Sequence, residues 1–141
     1  MLRGINPLLT PDLLHALASA GHGDRVGIVD GNFPAVAVAH RLVRAPGISA
    51  TAMLEAVLSV LPVDDFISDP VSVMQVVGDP AAVPEAVAEF TAILQRNGLS
   101  APKRLERHAF YRVAADAFVL VQTGEPRLYG NILLTKGVIQ P

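Results

Sequence analysis

A histidine between two glycines, followed by an aspartate at the end of an apolar run, is the part of this sequence best suited to proton chemistry. The segment reads "GHGDRVGIVD" from Gly21 to Asp30, and its histidine is His22. An imidazole exchanges protons near neutral pH, and the small neighbours leave room for a ligand. The preceding helix end and Asp24 favour the protonated ring. His22 is therefore a candidate acid/base group; the alternative is a polar residue with a capping role in an ordinary glycine-rich turn.

Asp30 stands where the apolar run "RVGIV" gives way to the turn "DGNFP". The run is typical of a short buried strand, and ligands of α/β proteins gather at the C-terminal ends of strands. A carboxylate there can accept hydrogen bonds from ligand hydroxyl groups or orient an imidazole. It can equally cap the turn that it forms with Gly31 and Asn32.

Two short strings near the C-terminus, "ERHAFY" and "YGN", supply further polar groups. Arg107 and Tyr111 share a helix face if the helix begins early. Tyr129 and Asn131 project to one face of an extended strand, and Gly130 between them permits close approach to the backbone. A surface ion pair and a strand-edge tyrosine are the alternative interpretations.

The other polar clusters favour structural roles. We expect His15 to be exposed opposite the leucines of its helix, and His40 to be a packed histidine within an extended apolar run. His108 opens a helix beside Arg107, where a positive charge is unfavourable. The aspartate-rich segment "DDFISDP", residues 64–70, lacks the alternation and central glycine of a calcium loop, and a solvated turn is the better interpretation.

Strands that alternate with helices must position these groups. Helix-start signals, apolar periodicity and stop signals predict the following elements. Helices are predicted over residues 11–20, 49–61, 84–98 and 108–117, and strands over 25–29, one or two segments within 35–45, 71–77, near 105, 118–124 and 131–138. The alternation predicts a three-layer α/β/α sandwich with a mixed, mainly parallel sheet, in one domain spanning residues 1–141.

Composition narrows the function classes. The net charge is −2 with no basic stripe, which argues against nucleic acid as a partner, and the absence of cysteine excludes disulfides and thiolate chemistry. Only 17% of residues are charged, against about 25% in an average soluble protein, which favours a homo-oligomer. Neither a signal peptide nor an apolar stretch of membrane-spanning length is evident, so we expect a soluble cytoplasmic protein.

The strings considered together are more specific than any one of them. The order "GINPLLTPDLLHALASAGHGD", "DGNFP", "LEAVLSVLPVDDF", "ERHAFY" and "TGEPRLYGNILLTKGVI" resembles the RbsD/FucU family of sugar mutarotases over nearly the whole chain. The resemblance implies an RbsD-like fold, a ring assembly that is commonly decameric, and a site near a subunit boundary. It implies that His22 is the acid/base residue and that the sugar is contacted by Asp30, Arg107, Tyr129, Gly130 and Asn131.

Four features place the resemblance on the L-fucose side of that family. The ribose branch usually has threonine at the position of Gly23, a leucine-proline turn in place of "NFP", histidine at Arg107 and alanine at Gly130. Mutarotation opens and recloses a hemiacetal, so the implied activity needs neither a nicotinamide nor a metal. Two alternatives stay open: D-ribose pyranase activity, and a non-catalytic sugar-binding subunit.

The segment from Gly21 to Asp30 is predicted to contribute residues near both of its ends to one pocket. His22 would then be the acid/base group, and Asp30 would hold the sugar. The strand between them would then set their spacing.

Overall fold

A computed structural model describes residues 1–141 and contains six strands and five helices. In chain order the elements are α1 (Pro11–Ser19), β1 (Arg25–Val29), α2 (Ala35–Val38), β2 (Leu42–Ala45), α3 (Ala50–Leu58), β3 (Val71–Met74), α4 (Glu85–Arg96), β4 (Lys103–Leu105), α5 (Arg107–Ala115), β5 (Val119–Thr123) and β6 (Ile132–Thr135).

The strands form one mixed sheet in the order β2-β5-β1-β6-β3-β4. The pairs β1/β5, β2/β5 and β3/β4 are parallel, whereas β6 runs antiparallel to both of its neighbours, β1 and β3. Five of the six strands therefore share one direction, and their C-terminal ends meet at one edge of the sheet together with the N-terminal end of β6. This confirms the predicted mixed, mainly parallel sheet.

Two apolar layers cover the two faces of the sheet and confirm the three-layer architecture. The larger core joins α1, α3 and α4 to one face through residues such as Leu13, Met53 and Phe90. The smaller core joins α2 and α5 to the other face through Phe33 and Phe110. Alternation along β1 explains the division, because Val26 and Ile28 face the larger core while Val29 faces the smaller one.

Local signals account for the helices that the sequence predicted. The Thr10 side chain accepts a hydrogen bond from the backbone N–H of Leu13, with Pro11 in the first turn of α1. Ser49 caps α3 in the same way. Gly98 follows α4 with φ +72°, a left-handed conformation that favours glycine. None of the five helices has the length and the apolar character that a membrane span requires.

Three local predictions were wrong. Residues 35–38 form the helix α2 rather than a strand, and His40 after it is exposed rather than packed. The helix α3 ends at Leu58, before the predicted Leu61.

Candidate active site

A cleft opens at the sheet edge where the parallel strands end. Asp30 follows β1, Met74 ends β3, Arg107 begins α5 just after β4, and Asn131 precedes β6. Since β6 is antiparallel, its N-terminal end lies at this same edge. The topology thus brings Asp30, Arg107, Tyr129 and Asn131 to line one cavity. The sequence predicted the strand-end position for Asp30, and the grouping with the other three came from the resemblance.

Asp30 and Asn131 form the buried floor of the cleft, each with 4% of its surface exposed. The backbone N–H of Asp30 donates to Oδ1 of Asn131 at 2.8 Å, and Nδ2 of Asn131 donates to Oδ2 of Asp30 at 2.8 Å. Oδ1 of Asp30 accepts from the backbone N–H of Asn32 at 2.9 Å. Asp30 therefore caps its turn, as one interpretation held, and it also lines the cavity; its contact with a ligand stays a prediction.

Arg107 stands at the exposed lip of the cleft, in the first turn of α5. The helix begins one residue earlier than predicted because Glu106 caps it, accepting from the backbone N–H groups of His108 and Ala109. These bonds, the one from His108 first, lower the pKa of Glu106. Arg107 makes no ion pair within the chain and lines the cavity together with Tyr111, the residue four positions on.

Tyr129 has an unusual backbone conformation, and Gly130 after it is closely packed. Tyr129 has φ +61°, a left-handed conformation that costs a non-glycine residue about 1–3 kcal/mol and is concentrated at functional sites. Its phenolic oxygen accepts a hydrogen bond from the backbone N–H of Val77 at 3.1 Å. A Cβ on Gly130 would lie 2.7 Å from Cγ of Glu125, so the space beside this glycine is filled by the protein's own side chain, and Gly130 does not line the cavity. These residues form a turn before β6 rather than the predicted strand, yet Tyr129 and Asn131 face one cavity.

The cavity has a volume of about 220 Å³ and combines its polar floor with apolar walls. Phe33 stacks on Tyr111 with ring centroids 5.3 Å apart, and Met74, Val77 and Leu128 complete the lining. Sites for drug-sized ligands start at roughly 300 Å³, so this cleft suits a smaller polar molecule. The cleft combines an apolar wall with four polar groups: a carboxylate, an amide, a guanidinium and a phenol. This combination matches the alternating hydroxyl and C–H groups of a monosaccharide.

His22 does not line this cleft. It precedes β1, whereas Asp30 follows it. The five residues of β1, at about 3.3 Å each, make the strand roughly 16 Å long. The strand does set the spacing of the two residues, but it places them at opposite edges of the sheet. A single chain therefore does not hold both in one pocket.

At the opposite edge, His22 contacts a residue that the sequence analysis assigned to a solvated turn. Nε2 of His22 lies 3.3 Å from Oδ2 of the buried Asp64. The His22 ring lies against the ring of Phe66. Asp65 and Asp69 are exposed, as a solvated turn requires, so that interpretation was wrong for Asp64 alone. The apolar run before Asp64 continues to Val63, and this was the available signal for its burial.

Glu125 is a second group that the sequence analysis missed. Its carboxylate is 1% exposed and accepts from Nε of Arg127 at 2.8 Å and from the backbone N–H of Ala50 at 3.3 Å. The side-chain bond from Arg127 is the main reason why the pKa of Glu125 lies below its usual range. In the sequence, an arginine two residues after a glutamate is only a weak indication of a buried ion pair. The contact of Glu125 with Ala50 joins residues 75 positions apart, so no local pattern indicates it.

The remaining histidines lie outside the cleft. His15 is exposed on α1, which confirms its prediction, and His108 is exposed on α5. Larger cavities of about 340 and 360 Å³ lie beside α1, and most of their lining side chains are apolar. Another of about 330 Å³ lies between α3 and α4 and is lined by charged side chains that include Glu55, Glu89 and Arg96.

Comparison with known proteins places this geometry in context. A family model described as the RbsD / FucU transport protein family matches residues 3–139, which include every candidate site residue. The chain is 43% identical to the L-fucose mutarotase of Glaesserella parasuis, over 98% of this chain and 96% of that protein. It is 41% identical to the fucose mutarotase of Homo sapiens, over 98% of this chain and 94% of the human protein.

The same similarity appears in three dimensions. The crystal structure of the fucose mutarotase from Streptococcus pneumoniae in complex with L-fucose superposes with a TM-score of 0.93 at 31% identity. The match covers 99% of this chain and 100% of that one. The similarity therefore extends over the whole sheet and both helical layers.

Proposed function

Because this chain belongs to the RbsD/FucU family, we propose that it is a sugar mutarotase that interconverts the α and β anomers of L-fucose. It is an isomerase, and residues 1–141 act as one mutarotase domain. Relatives that are about 40% identical over nearly the full chain carry this activity in their names. The predicted cytoplasmic location stays a prediction.

The buried Asp30–Asn131 pair is the observation that carries the proposal. Its two mutual hydrogen bonds fix both side chains before a ligand arrives, and the free lone pairs of Asp30 and the second N–H of Asn131 remain for sugar hydroxyls. Arg107 supplies charged donors at the lip. The contact of the sugar with Gly130 stays a prediction, because Gly130 packs against Glu125 and does not line the cavity. The apolar wall suits the 6-methyl group of L-fucose.

Proton transfer is the whole of the chemistry. A base removes the proton of the anomeric hydroxyl while the ring oxygen gains a proton, so the ring C–O bond breaks and an aldehyde forms. The aldehyde rotates and recloses on its other face, which reverses both transfers. An imidazole can act in both directions, and one positioned acid/base group contributes about 10²–10⁴-fold. His22 is this group, and the free phenolic hydrogen of Tyr129 or a water molecule completes the relay.

A second copy of the chain must bring His22 to the sugar. The His22 side chain is 46% exposed, and beside it Phe66 and Ile67 are 63% and 44% exposed. The rim of the cleft exposes Val77 and Leu128. Docking the His22 surface of one copy onto the cleft of the next buries these apolar side chains and completes the site. Repetition of this head-to-tail contact closes a ring, in keeping with the predicted decamer.

Saturation-transfer NMR of the two anomers tests the proposed reaction directly. We expect the wild-type protein to accelerate exchange of L-fucose, and His22→Ala to lose about 10²-fold or more of that acceleration. His15→Ala is the matched control, because it removes an exposed histidine that does not line the cleft and should leave the rate unchanged.

Three outcomes would contradict parts of this account. Full activity in His22→Ala would remove the assigned role of that residue. Faster exchange of D-ribose than of L-fucose would favour a pyranase. Saturable sugar binding without any faster exchange would indicate a non-catalytic sugar-binding subunit.

A further inference from the structure

The loop between β5 and β6, residues 124–131, folds around the buried side chain of Glu125. The backbone N–H of Arg127 donates to Oε1 of Glu125 at 3.1 Å. A Cβ on Gly130 would meet Cγ of Glu125 and, at 3.3 Å, the carbonyl oxygen of Arg127. Both parts of the loop therefore pack on one carboxylate side chain, and Tyr129 lies between them in its left-handed conformation.

The guanidinium of Arg127 joins this loop to the helix α4. Its Nε and Nη2 donate to Oε1 and Oε2 of Glu125 at 2.8 and 3.1 Å. Its Nη1 and Nη2 donate to Oε1 and Oε2 of Glu89, a residue of α4, at 2.9 and 3.1 Å. Two such two-pronged contacts fix the plane of the guanidinium, and a single ammonium group cannot reproduce them. The loop is thus fastened to the helical layer through one side chain.

Glu125 is also held by two other segments. Its carboxylate accepts from the backbone N–H of Ala50 at the start of α3, at 3.3 Å. Its carbonyl oxygen accepts from the backbone N–H of Gly31, the residue after Asp30, at 3.0 Å. The bonds from Arg127 lower the pKa of both Glu89 and Glu125, so both carboxylates are ionised at neutral pH. Arg127 therefore binds to a fixed and charged partner.

Tyr129 depends on the loop for its position more than Asn131 does. The phenol of Tyr129 has one hydrogen bond, from the backbone N–H of Val77. Asn131 is bound to Asp30 by two hydrogen bonds of its own. A residue in a strained backbone conformation keeps it only where its surroundings fix it. Loosening of the loop should therefore displace Tyr129 and leave Asn131 in place.

We propose that Arg127 is a positioning residue of the mutarotase, whose contacts with Glu89 and Glu125 hold the loop so that the phenol of Tyr129 faces the cleft. The inference rests on the proposed function, in which this phenol serves the proton relay. It gives its proton to the ring oxygen on ring opening and regains that proton on reclosure. Arg127 itself does not line the cleft, so it acts on kcat through Tyr129.

Fluorine-19 NMR of protein labelled with 3-fluorotyrosine, without sugar, tests the positioning itself. The chain contains only two tyrosines, Tyr111 and Tyr129, and Tyr129→Phe assigns their signals. We expect Arg127→Lys, which keeps the charge but loses the two-pronged contacts, to shift or broaden the signal of Tyr129 and to leave that of Tyr111 unchanged. An unchanged Tyr129 signal would overturn the proposal.

Two further variants complete this measurement. Glu89→Gln weakens only the contact with α4 and leaves the buried pair of Arg127 and Glu125 in place, so it decides the question if Arg127→Lys does not fold. It should change the Tyr129 signal in the same direction. Arg96→Lys is the matched control, because Arg96 forms a surface ion pair with Glu55 and does not line the cleft. It should alter neither signal.

The kinetics of anomer exchange test the consequence for catalysis. We expect kcat to fall about 10-fold in Arg127→Lys, since a misplacement of about 1 Å can cost roughly 100-fold. KM should stay unchanged, because Asp30 and Asn131 keep each other in place. In a Tyr129→Phe background the same substitution should cause no further loss. An equal loss in both backgrounds would show that Arg127 does not act through Tyr129.

The two levels of the account fail separately. If Arg127→Lys is folded and keeps the wild-type kcat, Arg127 has no positioning role and the mutarotase assignment stands. If the wild-type protein accelerates exchange of no sugar, the proposed function fails and the catalytic part of this inference fails with it. The fluorine signal then still reports whether Arg127 fixes Tyr129.

Discussion

At the scale of single residues, the cleft is organised before a sugar enters it. Asp30, Asn131 and Tyr129 each use part of their hydrogen-bonding capacity on the protein and direct the remainder to the cavity. Such fixed groups bind a ligand with little loss of side-chain entropy. Arg107 differs, since it has no ion-pair partner within the chain.

Arg107→Ala should therefore act mainly on sugar binding. A hydrogen bond from a charged donor contributes about 1.5–3 kcal/mol, so KM for anomer exchange should rise roughly 10–100-fold with a smaller change in kcat. Arg112→Ala is the matched control, because Arg112 is exposed on the same helix and does not line the cleft. Equal effects of the two substitutions would show that only the general positive charge of α5 matters.

At the scale of elements, Glu125 links the N-terminus of α3 to the loop that carries Tyr129. It accepts from the backbone N–H of Ala50, the first residue of α3, and from Arg127 within the loop. The lowered pKa of Glu125 makes this link pH-dependent. Its contribution to stability is fully present above the unfolded pKa of about 4.3 and is lost as the pH falls through the lower folded value.

Glu125→Gln should lower the free energy of unfolding by about 2 kcal/mol at pH 7 and flatten its decline below about pH 4.3. Urea unfolding followed by circular dichroism at several pH values measures both effects. Glu55→Gln is the control, because Glu55 pairs with Arg96 at the surface and such pairs contribute little. An unchanged acid limb in Glu125→Gln would contradict the assigned role of Glu125.

Elements with strong local signals were predictable from sequence, and those fixed by tertiary contacts were not. Thr10 and Pro11 mark the start of α1, and the apolar run of β1 marks a buried strand. The helix α2 was missed because its four residues are too few to show a helical period and no side chain caps it. Asp64 was missed because its burial depends on contacts with Thr135 and His22, which are distant in sequence.

At the scale of the whole molecule, the proposed acid/base residue and the proposed sugar-binding residues lie at opposite edges of the sheet. Asp30, Arg107, Tyr129 and Asn131 were predicted together from the resemblance, and they line one cavity because the strand ends near them share one edge of the sheet. His22 was predicted with them from resemblance, yet a residue that precedes β1 lies at the other edge. The proposed active site is therefore a property of the assembly rather than of the single chain.

Mixing two inactive variants tests that central claim most directly. His22→Ala and Asp30→Asn are purified separately, unfolded and refolded together in equal amounts, and assayed for exchange of L-fucose anomers by NMR. If each site takes His22 from one copy and Asp30 from the next, random assembly restores both residues in about one quarter of the sites. The account predicts roughly a quarter of wild-type activity in the mixture and almost none in either variant refolded alone. No recovery in a mixture shown by native mass spectrometry to contain mixed oligomers would contradict it.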